Sequence, residues 1–217
     1  MASFLDNIPS VTKNLIMINI LVFVATCINE NLMVANFAMF YPASSFFRIW
    51  QIVTHMFMHG GFAHIFFNMY SLLMFGAVLE NAIGSRKFLI YYFACGLGAA
   101  LLHTGVEAVQ AAVYASSGNY AALQMLYFTP SLGASGAVYG LFIGYAMMYP
   151  HSKLTLIFPP VTMSARTMVI VFAAIELLTG VTGTMNGVAH FAHLGGMLIG
   201  WIIIRWWMKK GKIYRRW

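Results

Sequence analysis

Residues 133–150 read GASGAVYGLFIGYAMMYP, a run without a charged side chain that opens on a serine between small residues and closes on a proline. Read as a helix, it carries Gly136, Gly140 and Gly144 at i, i+4 and i+8, along one face. Stripes of small residues let helices approach backbone to backbone where lipid removes any hydrophobic drive between them. A matching stripe lies further on, where His193, Gly196 and Gly200 fall at i, i+3 and i+7 of a second apolar segment. The two faces predict a pair of closely packed membrane helices carrying a serine and a histidine. Polar side chains are costly in hydrocarbon, so each of these needs a physical reason to be there.

The rest of the chain agrees with a membrane setting. Of its 217 residues 61% are hydrophobic and only 8% are charged, whereas a soluble domain carries about a quarter charged residues. Apolar runs long enough to cross a bilayer, roughly 20 residues each, are expected near 15–28, 62–79, 88–107, 135–149, 167–179 and 188–207. The expected fold is an all-α, six-helix polytopic bundle, one integral membrane domain over residues 1–217. Asn29-Glu30-Asn31 and an aromatic stretch from Phe37 to Trp50 connect the first two spans. A weakly polar loop around Ser116 to Asn119 and Pro130 follows the third, and Pro159-Pro160 breaks the chain before the fifth. Thr182-Gly183-Thr184 turns the chain into the sixth. Motion of the fifth span, or of residues Thr182 to Asn186, is a candidate gate.

Charge sets the orientation. With the N-terminus inside, Lys13, Arg86, Lys87, Lys153, Arg166 and the tail residues Arg205, Lys209, Lys210, Lys212, Arg215 and Arg216 are cytoplasmic, and only Arg48 lies outside. Eleven against one is a strong positive-inside bias, so both termini are expected in the cytoplasm. The first span lacks a small-residue cleavage site and reads as uncleaved. The net charge of +7 does not imply nucleic acid, because half of the basic residues crowd into a tail beside Trp206, Trp207 and Trp217, as an interfacial anchor would. Cys27 and Cys95 form neither a metal-ligand pattern nor a disulfide framework and read as packing residues.

In this topology the second, fourth and sixth spans run in the same direction. His64 and Asn68 in the first turns of the second, Ser135 heading the fourth and His193 in the sixth fall within roughly 10 Å of depth. A serine hydroxyl becomes a nucleophile when a neighbouring base takes its proton, and histidine titrates in the useful range. Gly133 and Gly136 permit a sharp turn before the helix, whose free N–H groups suit a developing oxyanion. Tyr139, one turn on, can stack beneath the imidazole. His64 and Asn68, at i and i+4, can donate to the same oxyanion. No acid lies within these motifs, so a dyad is expected. His55 and His59 read as structural or water-facing. Glu176, midway along the fifth span, reads as a hydrogen-bonded contact between helices.

The segment Trp50–Glu80, WQIVTHMFMHGGFAHIFFNMYSLLMFGAVLE, followed by GASGAVYG and AHLGGMLIG in that order, resembles the rhomboid intramembrane serine proteases. The resemblance runs from about Phe46 to Trp201 and includes a join at Glu80, Gly84, Arg86, Phe88 and Tyr91. It implies Ser135 as nucleophile, His193 as general base with Tyr139 stacked on it, and His64, Asn68 and the Ser135 N–H as oxyanion donors, with Gly133 supporting the turn. It further implies cleavage of transmembrane protein substrates within the lipid bilayer, after a small residue near the outer face, without cofactor or metal. The chain departs from the family in one place, with Trp50-Gln51 where many members have Trp-Arg. It resembles the minimal six-span form without an accessory soluble domain, and a bacterial cytoplasmic membrane is the expected location. Oligomeric state is left open.

Three other readings compete. His55, His59, His64, His190 and His193 could ligate iron or zinc as a histidine-box enzyme does, although such sites usually lie toward the cytoplasmic face. A non-catalytic rhomboid-like binding or quality-control protein lacks the serine or the histidine, and both are present here. A channel or transporter would need paired intramembrane charges or inverted repeats, and Glu176 alone keeps that reading alive.

Overall fold

The computed structural model of the chain describes residues 7–156, 160–182 and 188–215. It is an all-α bundle. Five of its helices are long and apolar enough to cross a membrane: Ser10–Ile28, Phe62–Ile83, Ser85–Ser116, Ala165–Thr182 and Ala189–Lys209. A sixth apolar helix, Ser135–Met148, has 14 residues. In chain order the helices are α1 (Ser10–Ile28), α2 (Glu30–Phe37), α3 (Gln51–Thr54), α4 (Phe62–Ser71), α5 (Ala77–Ile83), α6 (Ser85–Ser116), α7 (Tyr120–Phe128), α8 (Ser135–Met148), α9 (Ala165–Thr182) and α10 (Val188–Lys209). A π-helical stretch, Leu72–Gly76, joins α4 to α5 into one span. Of the turn and candidate gate at Thr182 to Asn186, everything beyond Thr182 lies outside the described residues.

Helix α8 sits at the centre. At 1.5 Å per residue it is about 21 Å long, well short of a hydrocarbon core of about 30 Å. It is buried along most of its length, packing against α6, α9 and α10. Ser135 is its first residue. Residues on the outer helices, such as Leu21, Ile28, Phe62, Leu101, Leu178 and Val181, are exposed, as lipid-facing side chains should be. Cys27 is among the exposed residues and Cys95 is buried; both are free thiols.

The close approach expected of α8 and α10 is present. A Cβ placed on Gly196 would collide with the carbonyl of Gly136, and one on Gly200 would come within 3.1 Å of the Gly140 carbonyl. The other face of α10 lies equally tight against α6, where a Cβ on Gly195 would come within 2.8 Å of the Gly98 carbonyl.

Four stretches differ from the sequence reading. Helix α6 runs 32 residues, to Ser116 and not to about Glu107. At about 48 Å it exceeds the hydrocarbon thickness. Glu107 does not end it, because it pairs at 3.4 Å with His103 one turn back. The loop that follows holds α7, capped by the Asn119 side chain accepting from the Ala122 N–H. The connection after α1 holds α2, capped in the same way by Asn29. Beyond α8, the strands Lys153–Thr155 and Thr162–Ser164 pair antiparallel.

Side chains around α3 hold the first long connection together. The last carbonyls of a helix have no intrahelical donor. Here Gln51 donates to Ala35 O (3.3 Å), Trp50 to Asn36 O (2.8 Å) and Thr54 to Phe37 O (2.8 Å), satisfying the end of α2. Gln51 is fully buried, also donates to Phe46 O and accepts from Arg48 N–H. The family's arginine could donate at this position but could not accept. At the other end of the bundle, buried Glu80 accepts from the Val11 and Thr12 N–H groups, the Thr12 hydroxyl and Ser85. It thereby caps α1 from across the structure.

Candidate active site

Ser135 is carried by a turn that other parts of the chain hold in place. Ser131 and Met39 exchange both backbone hydrogen bonds, at 2.9 and 2.7 Å. Two residues on, the Gly133 N–H donates to the His55 carbonyl at 2.9 Å. Gly133 has φ +134°, a conformation that any Cβ would strain. A side chain there would also meet His64 Nε2 at 2.9 Å. The turn delivers Ser135 to the head of α8, where its N–H is among the four without an intrahelical acceptor. No side-chain cap bond closes this end of the helix, so the serine is not serving as an N-cap.

The Ser135 hydroxyl instead meets His193, with Nε2 to Oγ 2.9 Å, across 58 residues of sequence. Tyr139 lies parallel to the imidazole, centroids 4.2 Å apart and planes within 3°. His64 Nε2 faces the Gly133 turn. The Gly60 N–H donates to His64 Nδ1 at 3.4 Å, an arrangement that leaves the imidazole proton on Nε2. Asn68 donates one amide hydrogen to the His64 carbonyl at 2.8 Å, and its buried Oδ1 has no partner among the described residues. A side-chain amide has a second hydrogen to give. Ser135, His193, Tyr139, His64 and Gly133 therefore meet in one place, with Asn68 one turn below His64.

His55 and His59 are both buried, which corrects the water-facing alternative for them. His55 Nδ1 is bonded to the Gln51 carbonyl at 2.8 Å. His59 packs edge-on against His64, and neither of its ring nitrogens has a partner among the described residues. Burial is the main cause of a lowered pKa in each, to about 4 for His55 and about 4 for His59, with neighbouring His64 adding to the effect on His59. Both are neutral at ordinary pH and act here as packed polar residues.

Glu176 is a hydrogen-bonded contact between helices, as read from the sequence, and the structure places that contact beside His193. From α9 its buried carboxylate reaches three side chains on two other helices. It accepts from the Tyr139 hydroxyl, lies 2.6 Å from His190 Nδ1 and 3.0 Å from His193 Nδ1. In the last contact the oxygen stands off the N–H axis, so it is a close electrostatic approach without full hydrogen-bond alignment. The motifs carrying the serine and histidine contain no acid; one arrives from a different helix. An acid in the middle of an apolar span was the available signal, but nothing along the chain gives the rotation of α9 that aims it.

Among the described residues, Glu176, His190 and His193 bring ligand-type atoms within 4.8 Å of one another. Both imidazole Nδ1 atoms face the same oxygen, Oε2. Among the described residues, His55, His59 and His64 do not join this group. A small cavity of about 40 Å³ beside Ser135 and His193 is also lined by Gly133, His55 and His103. It shares His103, Ser131, Leu132 and Ala189 with an open cavity of about 540 Å³ that includes Glu107, Gln110 and Tyr114. Even the small one exceeds the roughly 10–15 Å³ needed for a water.

A conserved-domain description, "Rhomboid domain", matches residues 46–210. The chain belongs to the rhomboid family and is an integral multi-pass membrane protein. It is 25% identical to the rhomboid protein YdcA of Bacillus subtilis, over 72% of this chain and 68% of that protein. It is 23% identical to Rhomboid-like protease 3 of Toxoplasma gondii, over 91% of this chain and 69% of the relative. With Rhomboid protease AarA of Providencia stuartii the identity is 28%, over 71% of this chain and 54% of the relative.

Proposed function

We propose that this protein is an intramembrane serine protease that hydrolyses peptide bonds in or near transmembrane segments of membrane-protein substrates. The observation that carries the proposal is the 2.9 Å approach of His193 Nε2 to Ser135 Oγ at the head of a short buried helix. Family membership supports a protease, and two of the relatives are named as such.

In this reading His193 Nε2 takes the Ser135 proton as Oγ attacks the scissile carbonyl carbon. The oxyanion that forms is met by the Ser135 N–H, His64 Nε2–H and Asn68, where one well-placed donor contributes about 2.7–4 kcal/mol. His193 then returns the proton to the leaving amine. Water attacks the acyl-enzyme with His193 again as base, and the cavity beside the dyad has room for it. Tyr139 keeps the imidazole in plane. The substrate helix must unwind locally, because its backbone groups are otherwise paired within the helix. A small residue before the cut, near the outer face, is the expected preference. Eleven of the twelve lysines and arginines support a cytoplasmic location for both termini, and a bacterial cytoplasmic membrane is the proposed setting.

The test is labelling of the detergent-solubilised protein with a fluorophosphonate, followed by mapping of the adduct. Modification of Ser135 that disappears in Ser135→Ala and His193→Ala is the expected result. A wild-type protein that neither takes the label nor cuts a transmembrane substrate favours the second reading, a rhomboid-like binding protein.

A further inference from the structure

We infer that Glu176 completes the dyad into a charge-supported triad, as a positioning residue that acts through His193. The inference rests on the proposed roles of Ser135 and His193. Three observations carry it.

The first is placement. Glu176 Oε2 stands 3.0 Å from His193 Nδ1, on the opposite side of the ring from Nε2 and Ser135 Oγ at 2.9 Å. Carboxylate, imidazole and hydroxyl thus follow one another in the order that serine hydrolases on unrelated folds use. The second is burial. A carboxylate enclosed within a membrane bundle is strongly disfavoured unless it is paired and hydrogen-bonded. Among the described residues, the groups that face it are Tyr139 from α8 and His190 and His193 from α10. All three are in or beside the proposed site. The third is the double role of Tyr139, which stacks on His193 and donates to Glu176, so one side chain fixes both members of the pair.

The chemical consequence concerns the tautomer. Neutral histidine carries its proton on either Nδ1 or Nε2, and only the Nδ1–H form leaves Nε2 able to accept from Ser135. A carboxylate beside Nδ1 favours that form in the resting enzyme. When the Ser135 proton arrives on Nε2, the ring becomes an imidazolium whose Nδ1–H faces a negative charge. No proton passes to Glu176. The off-axis geometry at rest fits a contact that aligns when the ring becomes charged, since such bonds are often poorly aligned before substrate binds. His190, 2.6 Å from the same oxygen, holds the carboxylate from the far side.

The experiment compares wild type, Glu176→Gln and Glu176→Asp for fluorophosphonate labelling rate per folded molecule and for kcat and KM on a transmembrane substrate. Glu176→Gln is expected to slow labelling and kcat about 10- to 1,000-fold, less than the roughly 10⁴-fold loss when a triad acid becomes an amide, with KM changed less than about threefold. Glu176→Asp is expected to recover part of the rate. Equal labelling by wild type and Glu176→Gln at Ser135 overturns the inference and leaves the protease reading standing. Failure of the wild type to label or cleave overturns both. A role confined to helix packing would lower the yield or thermal stability of Glu176→Gln but not the rate of the molecules that fold. A measurement on the wild type alone guards against a variant that does not fold. In ¹⁵N-histidine spectra, His193 is expected as the Nδ1–H tautomer, and an Nε2–H tautomer overturns the inference.

Discussion

Gly133 shows how much one position can constrain. Its φ of +134° shapes the turn before Ser135, its N–H is held by His55, and the space a side chain would need is taken by His64 Nε2. Gly133→Ala is expected to strain the backbone by about 1–3 kcal/mol and to push His64 off the site. Labelling of Ser135 should fall at least tenfold while the helical content measured by circular dichroism stays unchanged. Normal labelling in that variant would mean that the turn tolerates a side chain and that His64 has no role at the reacting atoms. Gly133 and Ser135 could be singled out on the chain because glycine, serine and a following apolar run are local signals. Glu176 was visible as an anomalous acid, but its three partners were not, since they come from residues 37 before it and 14 and 17 after it.

The relation between α8 and α10 belongs to the element scale. Gly136 and Gly140 on α8 and Gly196 and Gly200 on α10 let the two backbones touch, and that approach is what allows a short serine–histidine contact. Gly196→Val is expected to force the helices apart, destabilising the bundle by about 1–3 kcal/mol or more and abolishing labelling of Ser135. A thermal melt of the solubilised protein together with probe labelling checks both effects. The glycine stripes were readable because helical periodicity puts them on one face whatever the surroundings. The extent of α6 was not. Glu107 looks like the end of a span, yet a histidine one turn earlier pairs with it and the helix continues. Gln51 is comparable: along the chain it is only a departure from a family pattern, and its buried bonds to Ala35, Phe46 and Arg48 exist only once α2 and α3 are packed.

On the scale of the molecule, the connection between α1 and α4 supports the site from above, and it carries two buried neutral histidines. His55 and His59 have pKa values of about 4 in the folded protein, below the ordinary histidine value of about 6.5. Above pH 6.5 they are neutral whether this region is folded or not. As pH falls from about 6.5 to 4, the unfolded form takes up protons and the folded form does not, so stability is lost across that window. Each histidine can contribute up to about 3 kcal/mol of that loss. Melting temperature recorded from pH 7.5 to 4.5 should fall, and His55→Asn with His59→Gln should flatten the decline. A melting temperature independent of pH in the wild type would show that these rings titrate normally. Membrane residence and the main apolar spans follow from local quantities, since the penalty for a polar group in lipid and the 3.6-residue period both act along the chain. A hydroxyl 2.9 Å from an imidazole, and a carboxylate behind that imidazole, depend on how far each helix is turned about its own axis and how near its neighbours stand. Those quantities arise when all the helices pack at once, so no single segment carries them.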